Sequence, residues 1–214
     1  MRVTIWADGR IARGDRTRAA VLDTAIALAT EAGLDGLSLG QLADRLGVSK
    51  SGLFAHWRSK EELQLATIER ARESFKELVI AASSEVPLGV RRLWALHEAR
   101  LVYITAEDLP GGCFFANAQF EYNAKPGPVR DRLAEILREW LALIERLANE
   151  AIAVGELPPD FDARQLAFEI NAFGTATVYL SRLLPATKAA SLARTAVLRR
   201  LRAACTDPTL LPEE

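Results

Sequence analysis

The chain has 214 residues, half of them hydrophobic and 26% charged, a balance that supports a sizeable core and excludes global disorder. The net charge is only −1, but residues 1–60 hold nine Lys/Arg against six Asp/Glu and the remainder holds 18 against 22, so the N-terminal quarter is the end suited to anions. Two distant cysteines, Cys113 and Cys205, give no sign of a disulfide framework, the first residues lack a signal-peptide apolar run, and no window reaches the ~18 uncharged apolar residues of a membrane helix, so the expectation is a soluble, cytoplasmic protein.

Helical periodicity runs through nearly the whole chain, and strand-like alternation is absent. Residues 16–33 place Leu22, Ile26 and Ala29 on one stripe and stop at Gly33. Ser38 and Gln41 form a capping box ahead of Leu39, Leu42, Ala43 and Leu46, and Gly47 closes that short helix. A very short third helix starts near Ser49. Ser59 and Glu62 form a second capping box, which opens a long helix to about Ser83.

Pro87 restarts the chain, and residues 88–106 make a fifth helix ended by Glu-Asp-Leu-Pro-Gly-Gly. A sixth covers roughly 113–122, a seventh 129–155, an eighth 162–184 and a ninth 187–205, and the tail after it is expected to fray. The fold class is therefore all-α with about nine helices. Residues 1–60 form an N-terminal three-helix unit, residues 61–206 a larger helical body, and residues 207–214 a tail.

Helices two and three, joined through Leu-Gly-Val-Ser-Lys-Ser, carry the signature of a helix-turn-helix. Gly47 suits a positive φ in the turn, and Val48 is expected to plug the gap between the helices. In helix three, Leu53 and Trp57 are four apart and face inward, while Lys50 and Phe54 share the outward face. Small residues at Ser51, Gly52 and Ala55 permit close approach to another surface, and Ser49, Ser51 and Lys50 supply donors. The plain alternative is a short connecting helix with a solvated face.

Residues 19–63, with the run EAGLDGLSLGQLADRLGVS followed by LFAHW and SKEEL, resemble the DNA-binding domain of the tetracycline-repressor (TetR) family of bacterial regulators. The helical remainder is similar to that family's regulatory domain. The resemblance implies that Ser38 and Gln41 lie near the DNA backbone or a groove edge. It also implies that Ser49, Lys50, Ser51 and Gly52 begin a recognition helix in the major groove, and that Lys60 meets phosphate at the start of helix four. Phe54 stands where the family often carries Tyr, so its contact would be apolar, to sugar or a thymine methyl. His56 is expected to pack locally.

The regulatory half offers a wide set of aromatic and polar residues, including Phe114, Phe115, Tyr122 and Trp140, most of them read as packing. The pocket candidates are Trp94, His97, Tyr103, Cys113, Asn117, Phe120 and Asn171, because a buried polar side chain needs a partner that a ligand or water can supply. Cys113 follows Gly111-Gly112 and is read as a small core residue, with thiol sensing as the alternative. Two cysteines and two histidines, His56 and His97, show no ligand spacing, so no metal or cofactor is expected. Glu121 is a lone carboxylate with no acid/base partner.

For the interface, Phe173, Gly174, Thr177 and Val178 on helix eight and Val197 and Leu201 on helix nine are the candidates, since one recognition helix reads too few bases. The implied protein is a homodimeric repressor that binds double-stranded DNA at a near-palindromic operator. A small hydrophobic or amphipathic effector would release it, and no membrane is involved. A ligand-independent or thiol-sensing regulator is the alternative, and an enzyme using Cys113 with His97 is a remote one.

Overall fold

The computed structural model describes residues 5–54, 56–106 and 111–213, with side chains from Arg18 onward except at positions 52, 54, 186 and 187. Among them, helix α1 spans Ile5–Ala32, α2 Leu39–Leu46, α3 Lys50–Phe54 and α4 Lys60–Phe75. A π-helical turn, Lys76–Ile80, joins α4 to the single-turn α5, Ala81–Ser84, so these segments make one rod. Then follow α6 (Val90–Thr105), α7 (Phe114–Tyr122), α8 (Pro128–Ala153), α9 (Ala163–Leu183), α10 (Ala186–Ala204) and a 3₁₀ turn at Pro208–Leu210. No strand occurs among the described residues.

Local chemistry explains these boundaries. The Ser38 hydroxyl accepts the Gln41 N–H at 3.2 Å, and the Ser59 hydroxyl accepts the Glu62 N–H at 3.0 Å, so both short polar signals cap the helices they precede. Glu62 also reaches back to the Arg58 N–H at 2.6 Å. Gly47 closes α2 with φ 66° and ψ 29°, and the Val48 N–H reaches the Ala43 carbonyl at 3.1 Å, a Schellman-type ending that other residues reach only with strain.

The N-terminal unit packs α1 against α4 and α2, burying Leu22, Ala25, Ile26 and Ala29 against Leu42, Leu63 and Ile68. Leu53 and Trp57 are both buried as expected, although α3 ends at Phe54 and Trp57 follows it, and Arg18 lies over the Trp57 ring at 5.3 Å. Beyond α4, the helices α6, α8, α9 and α10 pack on one another, with α7 bridging α8 and α1.

Two expectations are corrected here. Val48 is 48% exposed and plugs nothing, whereas Leu42, Ala43 and Leu53 are buried in the core beside it. The C-terminal tail is docked, since Arg202 donates to the carbonyls of Pro208, Leu211 and Pro212 and Leu211 is buried. These contacts satisfy three carbonyls that fraying would leave to water.

Candidate functional site

The N-terminal unit presents a polar face built from its caps. Gln41, Ser49, Lys50, Ser51 and Lys60 are exposed, and Ser38 is half-buried as the α2 cap. The Ser49 and Ser51 hydroxyls lie 3.3 Å apart, and the Lys50 side chain passes over Gly40 of α2. Gly52 and Phe54 lie outside the residues whose side chains are described, as does Ala55. Lys60 stands at the start of α4, 3.2 Å from Asp35, which also pairs with Lys125 at 3.1 Å. The hydrogen bond from Lys125 first, and then the hydrogen bond and charge of Lys60, hold the Asp35 carboxyl below its usual range.

The larger body encloses a cavity of about 220 Å³ between the π turn, α6, α7, α8 and α9. Phe75, Phe115 and Trp140 form its aromatic wall, with Phe75 edge-on to Phe115 at 5.9 Å and to Trp140 at 5.3 Å. Lys76 and Ile80 of the π turn also line it. Widened turns of this kind recur at functional sites because they re-aim side chains that a regular helix would place elsewhere. At the inner end, Arg100 is buried against Trp140 at 5.2 Å and donates to the Asn171 carbonyl and the Thr175 hydroxyl, both at 3.4 Å. The Trp140 indole N–H donates to Asn171 Oδ1 at 3.1 Å. Burial pushes the Arg100 pKa down, yet a guanidinium remains protonated at neutral pH.

Of the seven pocket candidates, Cys113 and Asn171 line the cavity. The other five do not. His97 is buried on the side of α6 that faces α10, beside the Ala193 backbone and Arg194, and among the described residues neither ring nitrogen makes a hydrogen bond of good geometry. Burial first, then the charge of Arg100, hold its pKa down to about 4, against a smaller opposite pull from the Ala193 backbone. Tyr103 stands edge-on to Phe75 at 5.2 Å, and Trp94 tilts against His97 at 6.0 Å. Asn117 turns back to donate to the Gly111 carbonyl at 2.7 Å, and Phe120 is 60% exposed on the outer side of α7.

Thr177, Val178, Val197 and Leu201, expected at a subunit interface, are instead buried within the chain, and Phe173 packs partly buried against the same core. Gly174 faces Arg100: a Cβ there would stand 2.4 Å from Nη1, so the missing side chain makes room for the guanidinium rather than for a second helix. The exposed apolar residues of α9 are Phe168, Tyr179 and Leu183, which share a stripe with Ala172 and Ala176, and Leu192 is exposed on α10.

Sequence reasoning missed Arg100, Phe75 and Glu121. An Arg inside the apolar stripe of Leu93, Leu96 and Ile104 was the available signal for the first. Glu121, at the end of α7, accepts the backbone N–H groups of Leu34 at 2.7 Å and Asp35 at 2.9 Å. Beside it, Gln64 bridges the Leu34 carbonyl and the Tyr122 hydroxyl, each at 2.9 Å. Nothing local marks Glu121, because its partners lie 86 and 87 residues away.

A helix-turn-helix carried on α1 and α4, joined to a helical body with a cavity, is the architecture of a DNA-binding regulator. Residues 21–67 match the family described as bacterial regulatory proteins, tetR family, and residues 89–197 match the tetracyclin repressor-like, C-terminal domain. The chain belongs to the TetR family of transcriptional regulators. It is similar to the HTH-type transcriptional repressor ComR of Escherichia coli K12, with 29% identity over 164 residues covering 72% of this chain and 74% of ComR. A TetR regulator from Chloroflexus aurantiacus J-10-FL superposes with a TM-score of 0.83, at 28% identity, over 91% of this chain and 98% of that one. The fold is also that of AibR, solved with isovaleryl coenzyme A and operator DNA, at a TM-score of 0.63 and 22% identity over 76% and 86% of the two chains. No helix among the described residues is long and apolar enough to cross a membrane.

Proposed function

We propose that this regulator is a cytoplasmic homodimeric repressor, released from a near-palindromic operator when a small molecule enters the cavity of each subunit. One observation carries the reading: α7 has one side on the cavity, through Phe115, Ala116 and Gln119, and its last turn grips the loop between α1 and α2, Glu121 accepting from the Leu34 and Asp35 N–H groups and the Tyr122 hydroxyl donating to the Asp35 carboxylate. An effector that displaces α7 thereby tilts the helix-turn-helix. It releases DNA only to the extent that it binds the tilted state better than the DNA-bound state.

In this reading Ser38, Gln41, Ser49, Lys50, Ser51, Gly52 and Phe54 meet the groove and its edges, and Lys60 meets phosphate. The DNA-binding unit ends at the first turn of α4, near residue 60, and the regulatory body follows it. The stripe of Phe168, Tyr179 and Leu183, with Leu192, covers its counterpart on a second copy, since exposed apolar residues in helical register want a partner surface.

The test selects binding sites from random double-stranded DNA with the purified protein. A near-palindrome with half-sites about one helical turn apart is expected, and selected DNA should release the protein when an effector is added. Recovery of no enriched sequence would refute the reading.

A further inference from the structure

The cavity is apolar along most of its wall, yet it ends on a buried cation. Arg100 is 5% exposed, and among the described residues no carboxylate pairs with it. Its described hydrogen bonds are the two at 3.4 Å to a carbonyl and a hydroxyl, both neutral and both long. α9 carries a glycine in mid-helix, Gly174, where the guanidinium sits, so the helix gives up a better helix former to accommodate the charge. A charge taken out of water is costly unless it is paired. The lining adds a smaller bias: Arg72, Lys76 and Arg146 stand there with one acid, Glu139, although Arg72 pairs with Glu139 at 2.7 Å and Arg146 with Glu150 at 3.7 Å.

We propose that the cavity takes an apolar monocarboxylate, an acid with one aromatic ring or a medium alkyl chain, whose carboxylate pairs with Arg100 while its tail lies among Phe75, Phe115 and Ile136. The inference rests on the reading of the cavity as the effector site and names the effector's chemical class. A planar guanidinium matches a carboxylate with two parallel N–H···O bonds. Thr175 and the Asn171 amide, whose oxygen is occupied by the Trp140 indole, stand beside it as donors. Size agrees, since a cavity of about 150 Å³ holds benzene and this one holds a ring with a short chain.

The test compares each acid with its isosteric amide, by calorimetry on the full-length protein. The acids are 3-phenylpropionate and octanoate, and the controls are 3-phenylpropionamide and octanamide. The expected result is binding of at least one acid tenfold or more tighter than its amide. Arg100→Met should remove that preference, so that acid and amide bind alike, with circular dichroism reporting whether the variant folds. Equal affinity of acid and amide for the unmodified protein, or no binding of either acid, overturns the proposal whatever the variant does. A preference for acid that persists in folded Arg100→Met also overturns it.

Operator release separates the two claims. An acid that binds through Arg100 but leaves operator DNA bound supports the carboxylate site and sinks the effector reading. Release by the amides as effective as by the acids keeps the effector reading and sinks this one.

Discussion

The carboxylate of Glu121 accepts the backbone N–H of Leu34 at 2.7 Å and thereby ties the cavity-lining helix α7 to the loop that enters the helix-turn-helix. A hydrogen bond to a charged acceptor contributes about 1.5–3 kcal/mol, and Glu121 is about three-quarters buried. Glu121→Ala removes the acceptor and leaves two N–H groups without it. The expected outcome is a loss of about 1–2 kcal/mol of stability in urea titrations, with effector response weakened more than operator affinity. Full retention of effector response would show that α7 does not transmit it.

Lys50 and Lys60 should contribute to DNA binding through charge. Replacing either with Ala is expected to make the dependence of log affinity on log salt shallower by about one unit. Asp35 competes with phosphate for Lys60, since the two are 3.2 Å apart. Asp35→Asn should then raise operator affinity by up to about fivefold, the range of an exposed ion pair. Anisotropy titrations across salt concentrations measure both, and an unchanged slope for Lys60→Ala would remove that residue from the interface.

His97 sets a pH dependence of stability. The unfolded chain binds its proton near pH 6.5, and the folded chain near pH 4. Between these values the unfolded state carries the extra proton, so stability falls as pH drops through that interval, by about 3 kcal/mol in full, and levels off below it. Asp35, Glu69 and Asp207, the carboxylates held below their ordinary values, act only below about pH 4.5. His97→Leu should flatten the curve between pH 6.5 and 4.5 while keeping most of the stability at pH 7, because the buried ring is neutral there and among the described residues neither nitrogen makes a hydrogen bond of good geometry. Chemical denaturation at several pH values reads this, and equal slopes in the two proteins would exclude His97 as the source.

The exposed stripe on α9 predicts the assembly. Replacing Tyr179 and Leu183 together with Glu should give folded monomers in sedimentation and weaken operator binding at least tenfold, since one half-site remains per molecule. Gly174→Leu is expected to act differently: it drives a side chain into Arg100 and destabilises the subunit itself, by ~1–3 kcal/mol or more. A Tyr179/Leu183 variant that stays dimeric would move the interface elsewhere.

What was legible from residues alone was local. Ser38, Gln41, Gly47, Ser59 and Glu62 act on backbone groups within a few positions, so the order of helices and the helix-turn-helix follow from short-range hydrogen bonds and one left-handed glycine. The inward turn of Leu53 follows from helical period in the same way, whereas Trp57 is buried from the segment after α3, held by its backbone N–H bond to the Leu53 carbonyl at 3.2 Å.

Tertiary packing decided the rest. α9 carries apolar residues on both sides, and period alone cannot say which side its own neighbours cover: α6, α8 and α10 took Thr177 and Val178 and left Phe168, Tyr179 and Leu183 to the outside. The same holds for the cavity. Phe75, Arg100, Trp140 and Asn171 come from four helices spread over nearly a hundred residues, and Arg100 becomes a cavity-lining cation only because Gly174 and Trp140 make room beside it. Glu121 joins backbone 86 and 87 residues away to its own helix, and such partners exist only once the chain has folded.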